Sequence, residues 1–261
     1  MKSPTNGIET HYTIDGEGPW LVFSHSLACN VAMWAPQVAA FSKRYKVLCY
    51  DTRGHGQSSA PSGAYTLEQL ADDAKALLDA LGIRTCHWVG LSMGGMIGQT
   101  FALKYPGMFE TMTLADTTSR YPADAAPVWE ARIKTATEGG MEPITQPTLE
   151  RWFTEPFRSQ GPKVVSDIAQ AIRTTPVAGF VGCCHAIPKI DLTARLKEIK
   201  SPTLVIVGDQ DPGTPPAMAR EIHENLPGSE LAVIESAAHL SNLEQPEAFN
   251  SALAKFLDRN G

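Results

Sequence analysis

The chain has 261 residues, of which 43% are hydrophobic and 8% aromatic, and its formal net charge is −6 at neutral pH. This length suits one domain with a sizeable core, and the negative charge argues against nucleic acid as a partner. No apolar run is long enough to cross a membrane, and residues 1–6 lack the apolar stretch of a secretion signal, so we expect a cytoplasmic protein without a membrane partner.

Strands and helices are predicted to alternate along the first half of the chain. The expected strands cover residues 11–14, 21–23, 46–50, 86–89 and 111–115, and the expected helices cover residues 34–41, 66–81 and 93–105. Thr66, with Gln69 three residues later, is a typical helix N-cap, and Gly82 is a typical helix end. This alternation predicts a mostly parallel sheet covered by helices on both faces.

The alternation stops between residues 120 and 190. This segment holds eight prolines between short helix-like pieces and has no clear strand pattern. It carries 8 Lys and Arg against 7 Asp and Glu, whereas the rest of the chain is acidic. We therefore predict a helical cap at 120–190, inserted into a core of 1–119 and 191–261. The mildly basic cap suits either a small anionic substrate or an ordinary solvated surface.

The core pattern returns after residue 190. Strands are expected at 203–207 and 231–234, and helices at 217–225 and 246–257. The chain has five cysteines, an odd number, and no C-x-x-C motif, which fits a reducing compartment. The pair Cys183-Cys184 next to His185 lacks a second group of ligands, so we predict no metal site. Nothing in the sequence calls for an organic cofactor.

Gly90-Leu91-Ser92-Met93-Gly94 is the most informative stretch of the chain. It matches G-x-S-x-G between a predicted strand and a predicted helix, where a serine is pushed out of a sharp turn with its hydroxyl exposed. The helix N-terminus would aim free N–H groups at an anion formed there. Because so short a motif also arises by chance, its meaning depends on its surroundings.

Two further residues follow Ser92 in the order Ser, Asp, His. Asp211 and His239 each come directly after a predicted strand, at the edge where parallel sheets place their ligand crevice. A histidine can take the proton of a serine hydroxyl, and a carboxylate can hold that histidine in the required tautomer. We favour Asp211 as this carboxylate, while Asp209 is expected to shape the turn and Asp116 is a third candidate.

Such a site also needs two backbone N–H donors for the oxyanion. We expect one from Met93, the residue after the serine, and one from Leu27, in the loop after the strand at 21–23. His25 and His55 are expected to organise loops. Position 26, where many hydrolases have glycine, is Ser26, so this loop cannot require a conformation open only to glycine there.

The chain resembles the α/β-hydrolase superfamily over essentially its full length, and within it most resembles bacterial 3-oxoadipate enol-lactonases. The resemblance rests on the segments 12–16, 24–27, 33–37, 50–58, 90–94, 151–154, 208–211 and 238–244. It implies an α/β-hydrolase fold with a mostly parallel eight-stranded sheet, helices on both faces and an inserted cap. The chain differs from the family at two positions: the family often has Asn where His25 stands and Gly where Ala28 stands.

The resemblance implies a serine hydrolase of the β-ketoadipate pathway that opens a small lactone bearing a carboxylate, with an enolate as leaving group. An arginine would then hold the carboxylate, and Arg132, near Trp129 in the cap, is our first choice. Alternatively, Arg132 is an ordinary solvent-exposed arginine on a helix with no role in binding. Trp152 and Trp34 are further candidates for the pocket wall, with core packing as the alternative.

Other functions remain open at this point. A carboxylesterase, or a C–C bond hydrolase of aromatic degradation, would use the same three residues. Haloalkane dehalogenases and epoxide hydrolases use an aspartate nucleophile, so Ser92 argues against them. A ligand receptor on the same fold is a more distant alternative, which would be marked by very slow turnover and by ligand-dependent partner binding. The oligomeric state does not follow from the sequence.

Overall fold

The computed structural model describes residues 1–260, and its framework is one eight-stranded sheet. The strands are β1 (Lys2–Thr5), β2 (Ile8–Asp15), β3 (Trp20–Ser24), β4 (Lys46–Tyr50), β5 (Cys86–Leu91), β6 (Phe109–Ala115), β7 (Thr203–Gly208) and β8 (Glu230–Ile234). Their order across the sheet is β1-β2-β4-β3-β5-β6-β7-β8. The predicted α/β architecture with a mostly parallel eight-stranded sheet is confirmed.

Strand direction follows the expected pattern. The pairs β1–β2 and β2–β4 are antiparallel, and every pair from β4 across to β8 is parallel. The central strands β5 and β7 are buried at every position, as expected where helices cover both faces of a parallel sheet. The carboxyl ends of β3, β5, β6, β7 and β8 therefore meet along one edge of the sheet.

Eleven α-helices complete the described part of the chain. They are α1 (Ala35–Phe41), α2 (Leu67–Ala80), α3 (Met93–Lys104), α4 (Ala126–Gly139), α5 (Glu142–Trp152), α6 (Glu155–Ser159), α7 (Lys163–Thr174), α8 (Val177–Ala186), α9 (Pro216–Asn225), α10 (Ser241–Glu244) and α11 (Pro246–Asn260). The Thr66 side chain accepts a hydrogen bond from the Gln69 N–H, so the predicted cap of α2 is confirmed.

Helices α4 to α8, which follow β6 and precede β7 in the chain, form a separate layer. The prolines of this segment interrupt the alternation of strands and helices. Within this layer α4 packs against α5 and α8, and α5 packs against α7. An isolated antiparallel bridge joins Arg120 to Asp191. The Trp152 carbonyl accepts a hydrogen bond from the Leu240 N–H at 3.1 Å, which ties this layer to the core. The bounds 120–190 for a cap domain stay a prediction.

Two local features differ from the sequence expectations. Strand β1 was not expected, because Lys2-Ser3-Pro4-Thr5 has no apolar alternation and a proline fits only an edge strand. The helix expected at 34–41 begins at Ala35, since Trp34 closes a preceding 3₁₀ turn, Val31–Trp34. The Trp34 ring is fully buried and lies 4.7 Å from the Phe23 ring and 6.5 Å from the Phe249 ring, centroid to centroid.

Candidate active site

Ser92 occupies a strained turn between β5 and α3. Its backbone has φ +54° and ψ −114°, a conformation that costs an L residue about 1–3 kcal/mol and is found mainly at functional sites. The Ser92 N–H donates to the Ala115 carbonyl at 2.8 Å, and the Ser92 carbonyl accepts from the Thr117 hydroxyl at 2.7 Å. These bonds to the end of β6 and the loop after it hold the serine in its strained conformation.

Glycines flank Ser92 because the turn leaves no room for a Cβ atom. A Cβ on Gly90 would lie 2.1 Å from the Gly94 carbonyl oxygen, and a Cβ on Gly94 would lie 2.0 Å from the Ser24 carbonyl oxygen. Both contacts are far closer than atoms allow, and both involve backbone that cannot move aside. The G-x-S-x-G pattern is therefore a packing requirement of this turn.

Asp211 and His239 form a buried pair at the same edge of the sheet. The Asp211 Oδ2 atom lies 2.7 Å from His239 Nδ1 and also accepts from the Thr214 hydroxyl at 2.7 Å. Asp211 Oδ1 accepts from the N–H groups of Gly213, at 2.7 Å, and Thr214, at 3.1 Å. Four donors thus fix the carboxylate, and His239 Nδ1 is fixed in turn, which leaves Nε2 as the ring nitrogen free for proton exchange.

The pair also sets the protonation of both groups. Burial alone would lower the pKa of His239, but the charge and hydrogen bond of Asp211 outweigh it and raise that pKa above 6.5. Burial likewise opposes ionisation of Asp211, yet His239 and Thr214 bring the pKa of Asp211 below its usual value. An imidazolium that forms during a reaction is therefore stabilised by a carboxylate that stays ionised.

Asp116 is a second buried carboxyl group close to this pair, but it has other partners. Its Oδ1 accepts from the Gly208 N–H at 2.8 Å, and its Oδ2 lies 2.5 Å from the Ser241 hydroxyl. Burial, with the nearby charge of Asp211, raises the pKa of Asp116 to about 8. Asp116 thus joins β6, β7 and α10, whereas exposed Asp209 accepts from the Ala237 N–H.

Two backbone donors beside Ser92 are available for a ligand. The N–H groups of Met93, at the start of α3, and Leu27, in the loop after β3, have no acceptor among the described residues. The Leu27 loop is held by His25, whose Nδ1 lies 2.7 Å from the Ser26 carbonyl and whose Nε2 accepts from the Thr52 N–H at 2.9 Å. Burial lowers the pKa of His25, so a neutral imidazole performs both tasks.

A cavity of about 260 Å³ lies over Ser92 and His239. The core contributes residues of the loops after β3, β5, β7 and β8, and the helical layer between β6 and β7 contributes the opposite wall. The lining residues are Ser26, Leu27, Ser92, Tyr121, Ala125, Val128, Trp129, Arg132, Arg151, Trp152, Ile187, Pro212, Gly213 and His239. The Trp152 ring stacks on the His239 ring, with centroids 6.1 Å apart.

Two arginines line this cavity without an acidic partner in the described chain. Arg132 lies against the faces of Trp129 and Phe180, at 4.9 and 5.5 Å, and its buried Nε has no hydrogen-bond acceptor. Burial lowers the pKa of Arg132, and the positive charge of Arg151 lowers it further. Burial also lowers the pKa of Arg151. Arginine nevertheless stays protonated in proteins, so this wall presents two unneutralised positive charges.

The comparisons with known proteins identify the family. The family model described as the alpha/beta hydrolase fold matches residues 19–246. The chain belongs to the α/β hydrolases. It is 41% identical to 3-oxoadipate enol-lactonase 2 of Acinetobacter baylyi, over 97% of this chain and 94% of that protein.

Solved structures place the chain in the same family. The enol-lactonase from Burkholderia xenovorans superposes with a TM-score of 0.95 at 39% identity, covering 99% of this chain and 100% of that one. A thermophilic esterase from Thermogutta terrifontis, solved with malate bound, superposes with a TM-score of 0.94 at 28% identity, covering 99% and 98%. The chain is accordingly a hydrolase, and its similarity to enol-lactonases extends over the cap segment as well as the core.

The structure of this hydrolase brings most of the proposed site residues together. Ser92, His239, Leu27, Arg132, Trp129 and Trp152 all line one cavity, and Asp211 lies behind His239. The prediction for Trp34 is not met, because that side chain is fully buried between Phe23 and Phe249 and does not reach the cavity. The apolar segment around Trp34 allows this side chain either to line the cavity or to pack in the core, and its packing against Phe23 and Phe249 decides for the core.

Sequence reasoning missed three residues of this hydrolase that bear on the site. Arg151 lies in the segment 151–154 that carries part of the family resemblance, which was the signal for it. Tyr121 stands edge-on to Trp129 at 5.8 Å. Buried Glu244 accepts from the Ala238 N–H at 2.9 Å and the Thr154 N–H at 3.0 Å. Glu244 therefore ties the loop of His239 to the end of α5, a contact between segments far apart in the chain.

Two kinds of feature are absent from the part of the chain that the structure describes. Across residues 1–260, no three His, Cys, Asp or Glu side chains are grouped so as to hold a metal ion. In the same range, no helix combines the length and the apolar character needed to span a bilayer.

Proposed function

We propose that this hydrolase opens a small lactone that carries a free carboxylate, with 3-oxoadipate enol-lactone as the first candidate substrate. The observation that carries the proposal is the pair of unneutralised arginines on the cavity wall facing Ser92 and His239. A buried positive charge without an acidic partner is costly unless an anion joins it. The names of the enol-lactonase relatives support the same substrate.

In the proposed reaction, Ser92, His239 and Asp211 act as a catalytic triad. The Ser92 Oγ attacks the lactone carbonyl while His239 Nε2 takes its proton. Asp211 holds Nδ1 of His239 and stabilises the imidazolium. The C–O bond to the ring oxygen then breaks, and the oxygen leaves as an enolate, which needs less help from a proton donor than an amide nitrogen does. The enolate accepts the proton from His239 Nε2, which makes His239 neutral again. His239 then takes a proton from water as the water oxygen attacks the acyl carbonyl, and this proton passes to Ser92 Oγ when the acyl bond breaks.

The oxyanion formed by this attack would lie against the N–H groups of Met93 and Leu27. Neither donor has a protein acceptor, so each is available without breaking an existing hydrogen bond. Met93 also begins α3, whose dipole favours negative charge at its N-terminus. His25 acts through the loop of Leu27 and is a positioning residue. Removing one donor of such a hole typically costs about 10²–10³-fold in kcat.

The substrate carboxylate would lie between Arg132 and Arg151. Trp129 and Phe180 hold the Arg132 guanidinium in place through contacts with its flat face, so little side-chain freedom is lost on binding. Trp152 and Tyr121 close the remaining wall. The cavity volume of about 260 Å³ suits a small substrate.

A carboxylesterase acting on small esters is the second candidate function. The observation that favours it is the close superposition on the Thermogutta terrifontis esterase, with a TM-score of 0.94. The same triad and oxyanion donors would serve it. The arginines would then have no role in binding a neutral ester, and this difference separates the two candidates.

The test is the loss of lactone absorbance during hydrolysis of 3-oxoadipate enol-lactone by the wild type and by Ser92→Ala. We expect turnover by the wild type and loss of at least about 10³-fold in kcat in the variant. The exposed helix residue Ser166 supplies a matched control, since Ser166→Ala makes the same chemical change far from the cavity. Lactone turnover that survives Ser92→Ala would contradict the proposed mechanism.

A further inference from the structure

A second cleft, of about 450 Å³, lies beside the catalytic cavity, between α4 and α5. Each helix contributes residues spaced mostly three or four positions apart, which lie on one helix face. They are Pro127, Val128, Ala131, Arg132 and Thr135 of α4, and Pro143, Ile144, Pro147, Thr148 and Arg151 of α5. Three of these residues, Val128, Arg132 and Arg151, also line the catalytic cavity. The cleft and the cavity are therefore neighbours with a shared wall, which we call the junction.

The far part of the cleft is apolar. Prolines and an alanine form its sides, and buried Ile144 forms part of its floor. At the junction end, Val128 is 58% exposed, and it is one of only three large hydrophobic side chains that are exposed in the described chain. No acidic residue lines the cleft. These walls suit a hydrocarbon chain better than water or a polar ligand.

The junction carries two positive charges that have no acidic partner in the described chain. They belong to Arg132 and Arg151, which line both the cleft and the catalytic cavity. Burial lowers the pKa of each arginine, yet arginine stays protonated in proteins. Since charge-assisted hydrogen bonds to a guanidinium favour carboxylates and other oxyanions, the junction suits a ligand with an anionic head.

We propose that the α4–α5 cleft binds the hydrocarbon chain of a straight-chain carboxylate, with the carboxylate head at the junction between Arg132 and Arg151. The head shares the arginines assigned to the lactone carboxylate, so this inference rests in part on the proposed function. The chain then runs from the junction toward Thr135 and Pro143. From Arg151 to Pro143 the cleft is about 12 Å long, from the rise per residue of a helix, which suits a medium-length chain such as octanoate.

The cleft thus extends the range of ligands beyond the small lactone. A short carboxylate would reach the junction alone, whereas a longer one would also bury methylene groups along Ala131 and Pro147. Each buried methylene strengthens binding roughly fourfold at most. Affinity for straight-chain carboxylates is therefore expected to rise with chain length until the chain reaches the end of the cleft at Thr135.

Calorimetric titration with butyrate, hexanoate and octanoate tests the proposal on the full chain. Thr135→Phe fills the far end of the cleft, and Thr137→Phe is the matched control, because Thr137 lies exposed on the same helix but does not line the cleft. In the wild type and in Thr137→Phe, we expect octanoate to bind at least about tenfold more tightly than butyrate. In Thr135→Phe, octanoate and butyrate should bind within about twofold of each other.

The outcomes separate the two proposals. An equal Kd for all three carboxylates in the wild type, or the same chain-length dependence in Thr135→Phe and Thr137→Phe, would overturn the cleft as a chain site. If the cleft fails as a chain site but butyrate still binds, and Arg132→Met weakens butyrate binding, the role of the arginines in the proposed function stands. Absence of any carboxylate binding overturns the cleft proposal and also removes the support that the arginines give to the lactonase.

Discussion

Replacing Arg132 by methionine tests substrate recognition most sharply. Methionine keeps an unbranched apolar side chain against Trp129 and Phe180 but removes the charge and its donors. Charge-assisted hydrogen bonds contribute about 1.5–3 kcal/mol, so kcat/KM for the carboxylate-bearing lactone should fall roughly 10- to 150-fold. For p-nitrophenyl acetate, which has no carboxylate, the change should stay within about twofold.

The same variant has an informative effect on stability. The Arg132 side chain is half-buried and has no acidic partner in the described chain, and removing an unpaired, partly desolvated charge relieves its desolvation cost. We therefore expect the urea midpoint of Arg132→Met to equal or exceed that of the wild type. An arginine with a purely structural role would show the opposite, a loss of stability without a change in substrate preference.

The assay is steady-state hydrolysis of both substrates by the wild type, Arg132→Met and Arg173→Met. Arg173 is the matched control, because it is an exposed arginine of α7 that is paired with Glu142 at 2.8 Å and lies outside the cavity. The reasoning is refuted if Arg132→Met retains its lactone kcat/KM, or if both substrates lose activity by the same factor.

Four further predictions concern the catalytic edge of the sheet. Asp211→Asn should lower kcat about 10³–10⁴-fold with little change in KM, since an amide can reverse the tautomer of His239; single-turnover rates measure it. Because Asp211 raises the pKa of His239 above 6.5, kcat/KM should fall as the pH is lowered through that raised pKa, where the imidazole gains a proton; a pH–rate profile with its midpoint below 6.5 would disagree. Burial raises the pKa of Asp116 in the folded protein to about 8. Raising the pH from about 4 to about 8 therefore lowers the free energy of unfolding of the wild type. Asp116→Asn avoids this loss, so its urea midpoint should exceed that of the wild type at pH 8, and the difference should be smaller at pH 5. Gly94→Ala should destabilise the fold by at least about 1–3 kcal/mol, because its Cβ would lie 2.0 Å from the Ser24 carbonyl oxygen; unchanged urea unfolding would show that the turn can relax.

The central sheet was predictable because strands such as β3, β5 and β7 are mostly apolar runs that end at chemically distinctive loops. Strand β5 and the glycines around Ser92 follow from local rules, since a strand, a tight turn and a helix must fit within a few residues. Strand β1 was not predictable, because Lys2–Thr5 has no local strand signal and forms only by pairing with β2.

Parts of the site depend on contacts between distant segments. Arg151 reaches the junction because α5 packs against α4, which no local pattern encodes. Trp34 leaves the cavity because Phe249 of α11, more than two hundred residues later, completes its packing. Ala28 adopts φ +57°, which shows that the loop after β3 needs a left-handed residue at position 28, whereas Ser26 has no such requirement.

The central claim is that Ser92 serves a cavity built for a carboxylate-bearing lactone, and one comparison tests it most directly. It is the ratio of kcat/KM for 3-oxoadipate enol-lactone to kcat/KM for p-nitrophenyl acetate, measured on one preparation of the wild type with Ser92→Ala beside it. We predict a ratio well above about 10², with both activities lost in the variant. Ester turnover without lactone turnover would contradict the claim and leave a serine esterase whose arginines serve another ligand.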